Sequence, residues 1–387
     1  MKAIMERISI RWASALLVGA AAALAACNRV PDVVKIGVGA PLTGPLAPEG
    51  QDLLHGVELA AAEINADGGM RISGKRVKVE IVSADDKANP VDGDVAARRL
   101  VDAGVVAAIA HLNSGVSIPM AAIYAEAGIP QLAISTKTEY TRQGLPTTLR
   151  LIANDDLQSK AIGSYALQMN GVGRIAVVDD STPYGKGLAD QAVAVITAAK
   201  REIGVRRSLN DKTTDFVDLA AALEDDKTDL LITTLSAFQV EALIKRLTRN
   251  GPSSIKILGG DALKTSALAE VGRRVGGIFA TSPVLEAREF PNGNRFLARF
   301  RQRFGSDPVY GAHYTYDATH LIADALGRNA SVDKKSLLAQ LKKFDGNAPV
   351  TGTMRFDESG EQRFGSVGVY KLEPQGRWGL IYQADRW

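Results

Sequence analysis

The chain has 387 residues, 46% of them hydrophobic and 23% charged, with a formal net charge of +3 and a single cysteine. That length suggests two domains rather than one, and the composition is that of a globular chain. A charge this close to neutral, with no basic block, excludes a nucleic-acid footprint, and a lone cysteine excludes a disulfide framework.

The first element is a leader. Lys2, Arg7 and Arg11 stand against Glu6, ahead of an apolar run from Trp12 to Ala26 broken only by Ser14 and Gly19. Those 15 residues fall short of the roughly 20 that span a bilayer, so residues 1–26 read as a cleaved signal peptide rather than an anchor helix. Leu24-Ala25-Ala26-Cys27 resembles the lipobox of bacterial lipoproteins. That resemblance implies lipid on Cys27 as the new N-terminus, the alternative being ordinary secretory cleavage. Without the leader the formal charge falls to +1.

Short β-branched runs then alternate with longer amphipathic segments, the pattern of βαβ units and parallel sheets. Val33 to Val38 reads as strand, and Asp52 to Ala66 as helix with Leu53, Leu54, Val57, Ala60, Ala61 and Ile64 on one face. Val77 to Val82 is strand, Val91 to Asp102 helix, Val105 to Ala110 strand, Pro119 to Ala127 helix and Gln131 to Ile134 strand. A second series follows Leu149 to Asp155: helix from Leu157 to Met169, strand from Arg174 to Val178, helix from Lys186 to Lys200. Leu230 to Thr233, Lys256 to Leu258 and Ile278 to Ala280 continue it as strands. Thr351 to Phe356, Val367 to Leu372 and Trp378 to Tyr382 read as an antiparallel tail that finishes a lobe. Two series of similar size imply an α/β protein of two Rossmann-like lobes with parallel-sheet cores.

Six segments together carry a family resemblance. They are Ile36 to Pro45 (IGVGAPLTGP), Gly56 to Asn65 followed by Gly68-Gly69, Ile123 to Pro130 (IYAEAGIP), Tyr184 to Ala189 (YGKGLA), Tyr314 to Ala318 (YTYDA) and Gly368 to Leu372 (GVYKL). In this order and spacing the chain resembles the solute-binding proteins of branched-chain amino acid ABC transporters, which have the type I periplasmic binding protein fold. The resemblance implies two discontinuous lobes joined by three crossovers, near Leu149 to Asn154, Ala280 to Pro283 and Val350 to Thr353. Lobe 1 would then be residues 33–149 plus 281–350, and lobe 2 residues 150–280 plus 351–387. Strand carboxyl ends of both lobes would face one crevice, and hinge closure would follow from a ligand that touches both sides.

His111-Leu112-Asn113-Ser114-Gly115 lies where a strand ends and a helix begins, so free backbone N–H groups and a hydroxyl are suited to a carboxylate. The resemblance puts Ser114, beside Asn113, in the family's carboxylate position; otherwise Ser114 is a helix cap. Ser135-Thr136-Lys137-Thr138-Glu139 matches the family loop that holds the rest of the head group. It is one residue shorter than usual and lacks an Asn-Pro, which leaves the role of its threonine hydroxyl to Thr136 or Thr138. Asp261, ending a strand of lobe 2, corresponds to the acid that pairs with a ligand ammonium, or else caps the next segment. Tyr184 corresponds to an aromatic wall, or else packs on its own lobe.

Departures from the family point to a more polar pocket. Glu49 stands where many members have an aromatic residue, and Leu235-Ser236-Ala237 where they often have tyrosines. A carboxylate facing the crevice suits a ligand with a polar or cationic end; one facing solvent carries no such implication. His55, His111, His313 and His320 fit no metal motif, and Gly185-Lys186-Gly187 and Gly259-Gly260 fit no nucleotide loop. No cofactor, no metal and no catalysis are expected. The reading is an extracytoplasmic, lipid-tethered receptor that passes a small amino acid or related carboxylate to ABC permease subunits in the membrane. A ligand sensor of the same fold is the alternative.

Overall fold

β-Branched side chains favour the pleated, half-buried surface of a strand, and the runs rich in them build two sheets here. The computed structural model describes residues 30–210 and 212–385; the leader and Cys27 lie outside them. The first sheet comprises β1 (Val33–Ala40), β2 (Met70–Ile72), β3 (Lys75–Asp85), β4 (Ala107–Ala110), β5 (Gln131–Ala133) and β6 (Thr148–Arg150), in the order β2-β3-β1-β4-β5-β6. Only β2 runs antiparallel to its neighbour in that sheet. Helices α1 (Ala47–Ala66), α2 (Pro90–Asp102), α3 (Ser114–Glu126) and the short α4 (Glu139–Arg142) connect the strands.

Both faces of this sheet are covered. Val34, Ile36, Val38 and Ala40 of β1 share a core with Leu53, Leu54 and Val57 of α1, while Ala108 and Ala110 of β4 pack with Leu100 of α2 and Met120 and Tyr124 of α3. Period-two alternation along the strands is what feeds two separate cores. Gly39 lies on the second face, where an added Cβ would come within 2.7 Å of the His111 ring. Its lack of a side chain therefore admits a buried histidine that bonds Asp86 at 2.7 Å and Tyr124 at 3.2 Å.

The second series builds β7 (Ile175–Asp179), β8 (Ile203–Ser208), β9 (Leu230–Thr233), β10 (Lys256–Gly259) and β11 (Gly277–Ser282), all parallel, with α5 (Asp155–Gln168), α6 (Pro183–Ala198), α7 (Val217–Asp225), α8 (Ala237–Leu247) and α9 (Ala269–Gly272). Ala176 and Val178 meet α7 and α8 on one face; Ile175 and Val177 meet α5 and α6 on the other. The chain then returns to the first sheet as α10 (Gly293–Phe304), α11 (Ala312–Asn329) and α12 (Lys334–Lys342), whose Leu321, Ile322, Leu337 and Leu341 complete the core beside α1.

The ending differs in part from the sequence reading. β12 (Asp345–Ala348) pairs with β13 (Gly352–Arg355) as a hairpin, and Met354 and Phe356 are buried in the core of the first lobe. Residues 351–356 therefore belong to lobe 1, and the third passage falls beyond Phe356 rather than at Val350 to Thr353. Apolar side chains facing the first core decide this. β14 (Ser366–Leu372), antiparallel to β11, and β15 (Trp378–Asp385), antiparallel to β14, do finish the second sheet, in the order β15-β14-β11-β10-β9-β7-β8.

At the junction the first and third passages run side by side. The Arg150 N–H donates to the Gly360 carbonyl at 2.8 Å, and the fully buried Arg150 guanidinium pairs with Glu361 at 3.1 Å. The same guanidinium donates to the carbonyls of Ser135 and, at 2.6 Å, Lys137. Removing one member of a buried pair strands the other charge. Glu361→Ala should therefore cost about 3–5 kcal/mol in urea unfolding; a loss below about 1 kcal/mol would show that the pair contributes little to the junction.

Candidate functional site

In open parallel sheets the carboxyl ends of the strands leave room for ligand, and here both sheets direct theirs toward one cavity of about 780 Å3. Lobe 1 supplies the loops after β4 and β5, the first turn of α1, and Tyr310. Lobe 2 supplies the loops after β7 and β10.

The β4 loop presents Asn113, Ser114 and Gly115 at the start of α3. The Asn113 carbonyl accepts from Val116 and Ser117, both at 2.9 Å, so the N–H groups of Ser114 and Gly115 are those left without intrahelical acceptors. Ser114 Oγ accepts from the Lys137 N–H at 3.2 Å, which leaves the hydroxyl hydrogen free to donate into the cavity. This wall therefore offers donors and the positive end of a helix dipole. From the β5 loop Thr136 and Lys137 line the same wall. Thr138 turns away to Asp156, at 3.1 Å. Ser135 does not line the cavity: its buried hydroxyl accepts from Ser117 at 2.8 Å, so only its backbone belongs to the loop.

The opposite wall carries acceptors. Asp261 opens a short 3-10 turn after β10, and the Tyr184 hydroxyl, in the first turn of α6, donates to its Oδ1 at 2.5 Å. Gly260 makes the pairing possible, because a Cβ there would come within 3.1 Å of both the Tyr184 hydroxyl and a Leu188 methyl. Burial and the neighbouring carboxylates push the Tyr184 hydroxyl well above its ordinary value, so it remains a donor at neutral pH. Thr182 Oγ caps α6 by accepting from Gly185 at 2.9 Å, which fixes the direction of this wall.

One further acid lines the cavity, and another stands near Thr136 and Asp261 without lining it. Glu49 lines it from α1, and its buried Oε2 accepts no hydrogen bond. Asp155 stands at the first crossover, where its N–H donates to the Thr136 carbonyl at 2.9 Å while its side-chain Oδ1 is buried without a partner. Burial pushes the Asp155 carboxyl up to about 6; the Thr136 hydroxyl, Arg150 and Lys137 oppose this and Asp261 reinforces it. Asn113 Oδ1 is likewise buried and unpaired. None of Glu49, Asp155 and Asp261 forms an ion pair among the described residues, and Lys137, the basic residue in the wall, has its ammonium 4.0 Å from Glu139.

The structure thus brings Glu49, Asn113, Ser114, Thr136, Tyr184 and Asp261 to one cavity and leaves the Ser135 side chain out of it. Lys137 and Tyr310 are the additions to that lining, and Asp155, outside it, is near enough to Asp261 for their charges to interact. Tyr310 is held by Asp52, whose carboxylate accepts from the N–H groups of Val309, Tyr310 and Ala312 at 2.9, 3.0 and 2.9 Å. Leu235 is core and Ser236 caps α8. No histidine lines the cavity: His55 stacks on Phe304, and His313 is packed beside Phe290 and Phe296, its pKa lowered to about 3 by burial. Among the described residues no group of three or more His, Cys, Asp and Glu is placed to hold a metal ion.

A periplasmic binding protein family model matches residues 33–377. The chain belongs to that family. Leu/Ile/Val-binding protein homolog 1 of Brucella abortus is 30% identical over 354 residues, covering 90% of this chain and 94% of the relative; homolog 2 is 31% identical over 330 residues, covering 85% and 87%. An ABC transporter substrate-binding protein from Desulfitobacterium hafniense, solved in complex with Leu, superposes with a TM-score of 0.76 at 27% identity, covering 90% of this chain and all of the other. A solute-binding protein of Rhodopseudomonas palustris, solved with p-hydroxybenzoic acid, shares the fold at a TM-score of 0.76 and 20% identity, covering 92% of this chain and 98% of the other. This binding protein is therefore a solute receptor of the ABC-transporter type, and its family places it outside the cytoplasmic membrane. No helix among the described residues is long and apolar enough to cross a membrane.

The raised Asp155 carboxyl makes a test of the cleft's electrostatics. A group whose folded pKa lies above its unfolded value contributes stability that is complete below the unfolded pKa, near 3.8, and lost as pH rises through about 6. Asp155→Asn removes that loss. Its unfolding free energy relative to wild type should rise by on the order of 2 kcal/mol between pH 4 and pH 7. A difference constant across that range would contradict the assignment.

Proposed function

We propose that this binding protein captures an α-amino acid by its zwitterionic head group and hands it, unchanged, to an ABC permease. The observation that carries the reading is the opposition of the two walls. Helix N–H donors and the Ser114 hydroxyl face the cleft from one lobe, and the carboxylate of Asp261 faces it from the other. A zwitterion satisfies both with its two ends. Ser114, Thr136 and the first turn of α3 hold the carboxylate; Asp261 and Tyr184, with Asp155 at the crossover, receive the ammonium. The names of the Brucella relatives and the leucine bound in the Desulfitobacterium structure support the same ligand class.

Because the head group bridges two lobes, its differential affinity draws an open ensemble toward a closed one. The permease reads the closed form. Cys27, as a lipidated N-terminus, tethers the receptor near its membrane partner, with residues 1–26 removed. Nothing in this cycle makes or breaks a covalent bond in the solute, so no cofactor enters it.

Screening the protein by thermal shift against the common amino acids and small organic acids tests the reading. A solute at 100 times its Kd adds about 2.7 kcal/mol of stability. A charge-assisted hydrogen bond is worth about 1.5–3 kcal/mol, so Asp261→Ala should weaken the best amino acid about ten- to hundredfold and leave its des-amino acid nearly unchanged. Failure of every amino acid and carboxylate to shift melting would overturn the proposal, as would unchanged amino acid affinity in Asp261→Ala.

A further inference from the structure

We infer that the preferred solute carries a second positive charge at the tip of its side chain, a guanidinium or ammonium group, and that Glu49 is the residue that selects it. The inference rests on the head-group placement above and concerns the remainder of the cleft.

The first support is charge. Glu49 and Asp261 line the cleft and Asp155 lies within electrostatic reach of Asp261, none in an ion pair among the described residues, and the zwitterionic head group brings a single ammonium, which Asp261 receives with Asp155 near it. Lys137, on the donor wall with Ser114 and Thr136, has its ammonium 4.0 Å from Glu139. Glu49 then remains as a carboxylate oxygen removed from water with no donor, and such a group is costly unless a cation or donor meets it.

The second support is that Glu49 makes no capping bond, although its charge in the first turn suits the helix dipole. An acid in the first turn of a helix commonly reaches back to cap it. The first turn of α1 shows no such arrangement: Leu46 is its N-cap, no side-chain cap bond forms there, and Glu49 Oε2 accepts nothing. The third support is the company Glu49 keeps. Asn113 Oδ1, on the same cavity, is a second buried acceptor without a donor. Tyr310 lines that cavity too, close enough to feel the charge of Glu49, and a tyrosine ring attracts a cation through its face. A volume of about 780 Å3 leaves room for a long side chain in a site of the usual ligand-pocket range.

Isothermal titration of wild type, Glu49→Gln and Glu49→Leu with arginine, lysine, glutamine and leucine tests the inference. Wild type should bind arginine or lysine at least tenfold tighter than leucine. Glu49→Gln should remove that advantage by weakening the basic amino acid tenfold or more while leucine stays within about threefold, and Glu49→Leu should reverse the order. Wild type that binds leucine or glutamine as tightly as either basic amino acid overturns the inference while leaving the head-group reading standing, as does a Glu49→Gln variant that weakens all four equally. If none of the four binds, the inference fails, and the head-group reading fails with it only if the wider thermal-shift screen also finds no amino acid or carboxylate that binds.

Discussion

Opposed electrostatics across the cleft set the terms for the rest of the molecule. One wall is a helix N-terminus whose free N–H groups and serine hydroxyl point outward; the other is an aspartate held by a tyrosine that can only donate to it. Neither wall satisfies itself in full: Tyr184 gives Asp261 one donor, and the first N–H groups of α3 have no intrahelical acceptor. Most buried polar groups in folded proteins find partners, and the unpaired oxygens of Glu49, Asn113 and Asp155 are among the exceptions in this molecule.

The surrounding structure works to keep those groups aimed. Arg150 is the clearest case: fully buried at the junction, it grips the carbonyls of Ser135 and Lys137 and so fixes the backbone that flanks Thr136, while Glu361 balances its charge from the third crossover. Asp52 does similar work for Tyr310 through three backbone N–H groups. Gly260 lets Tyr184 approach Asp261. Each of these residues contacts a cleft element and holds its backbone or side chain in place.

Much of this could be read in the chain, and the parts that could not share a cause. Leu230 to Thr233 is a strand with the bounds its apolar run announces, because a central strand buried on both faces is written as continuous hydrophobic sequence. β8 escaped that reading. It is the edge strand, with Arg207 exposed and Arg206 paired with Asp179 and Asp190, so its sequence leaves no apolar run. α3 starts at Ser114, five residues before the Pro119 that suggested its first turn. The family resemblance singled out the strand-end positions Ser114, Thr136, Tyr184 and Asp261, and the parallel sheets bring them to one crevice. The inward turn of the Ser135 side chain and the places of Asp155 and Tyr310 were not legible, since they depend on Ser117, Asp261 and Asp52, partners that spacing along the chain does not reveal. Cys27 and the leader lie outside the described residues.

A crystal structure of the protein grown with the amino acid that raises its melting temperature most tests the central claim directly. The account predicts closed lobes, with the solute's carboxylate on Ser114 and the first turn of α3 and its ammonium on Asp261. Solute bound elsewhere, or held by one lobe with Asp261 untouched, would contradict it.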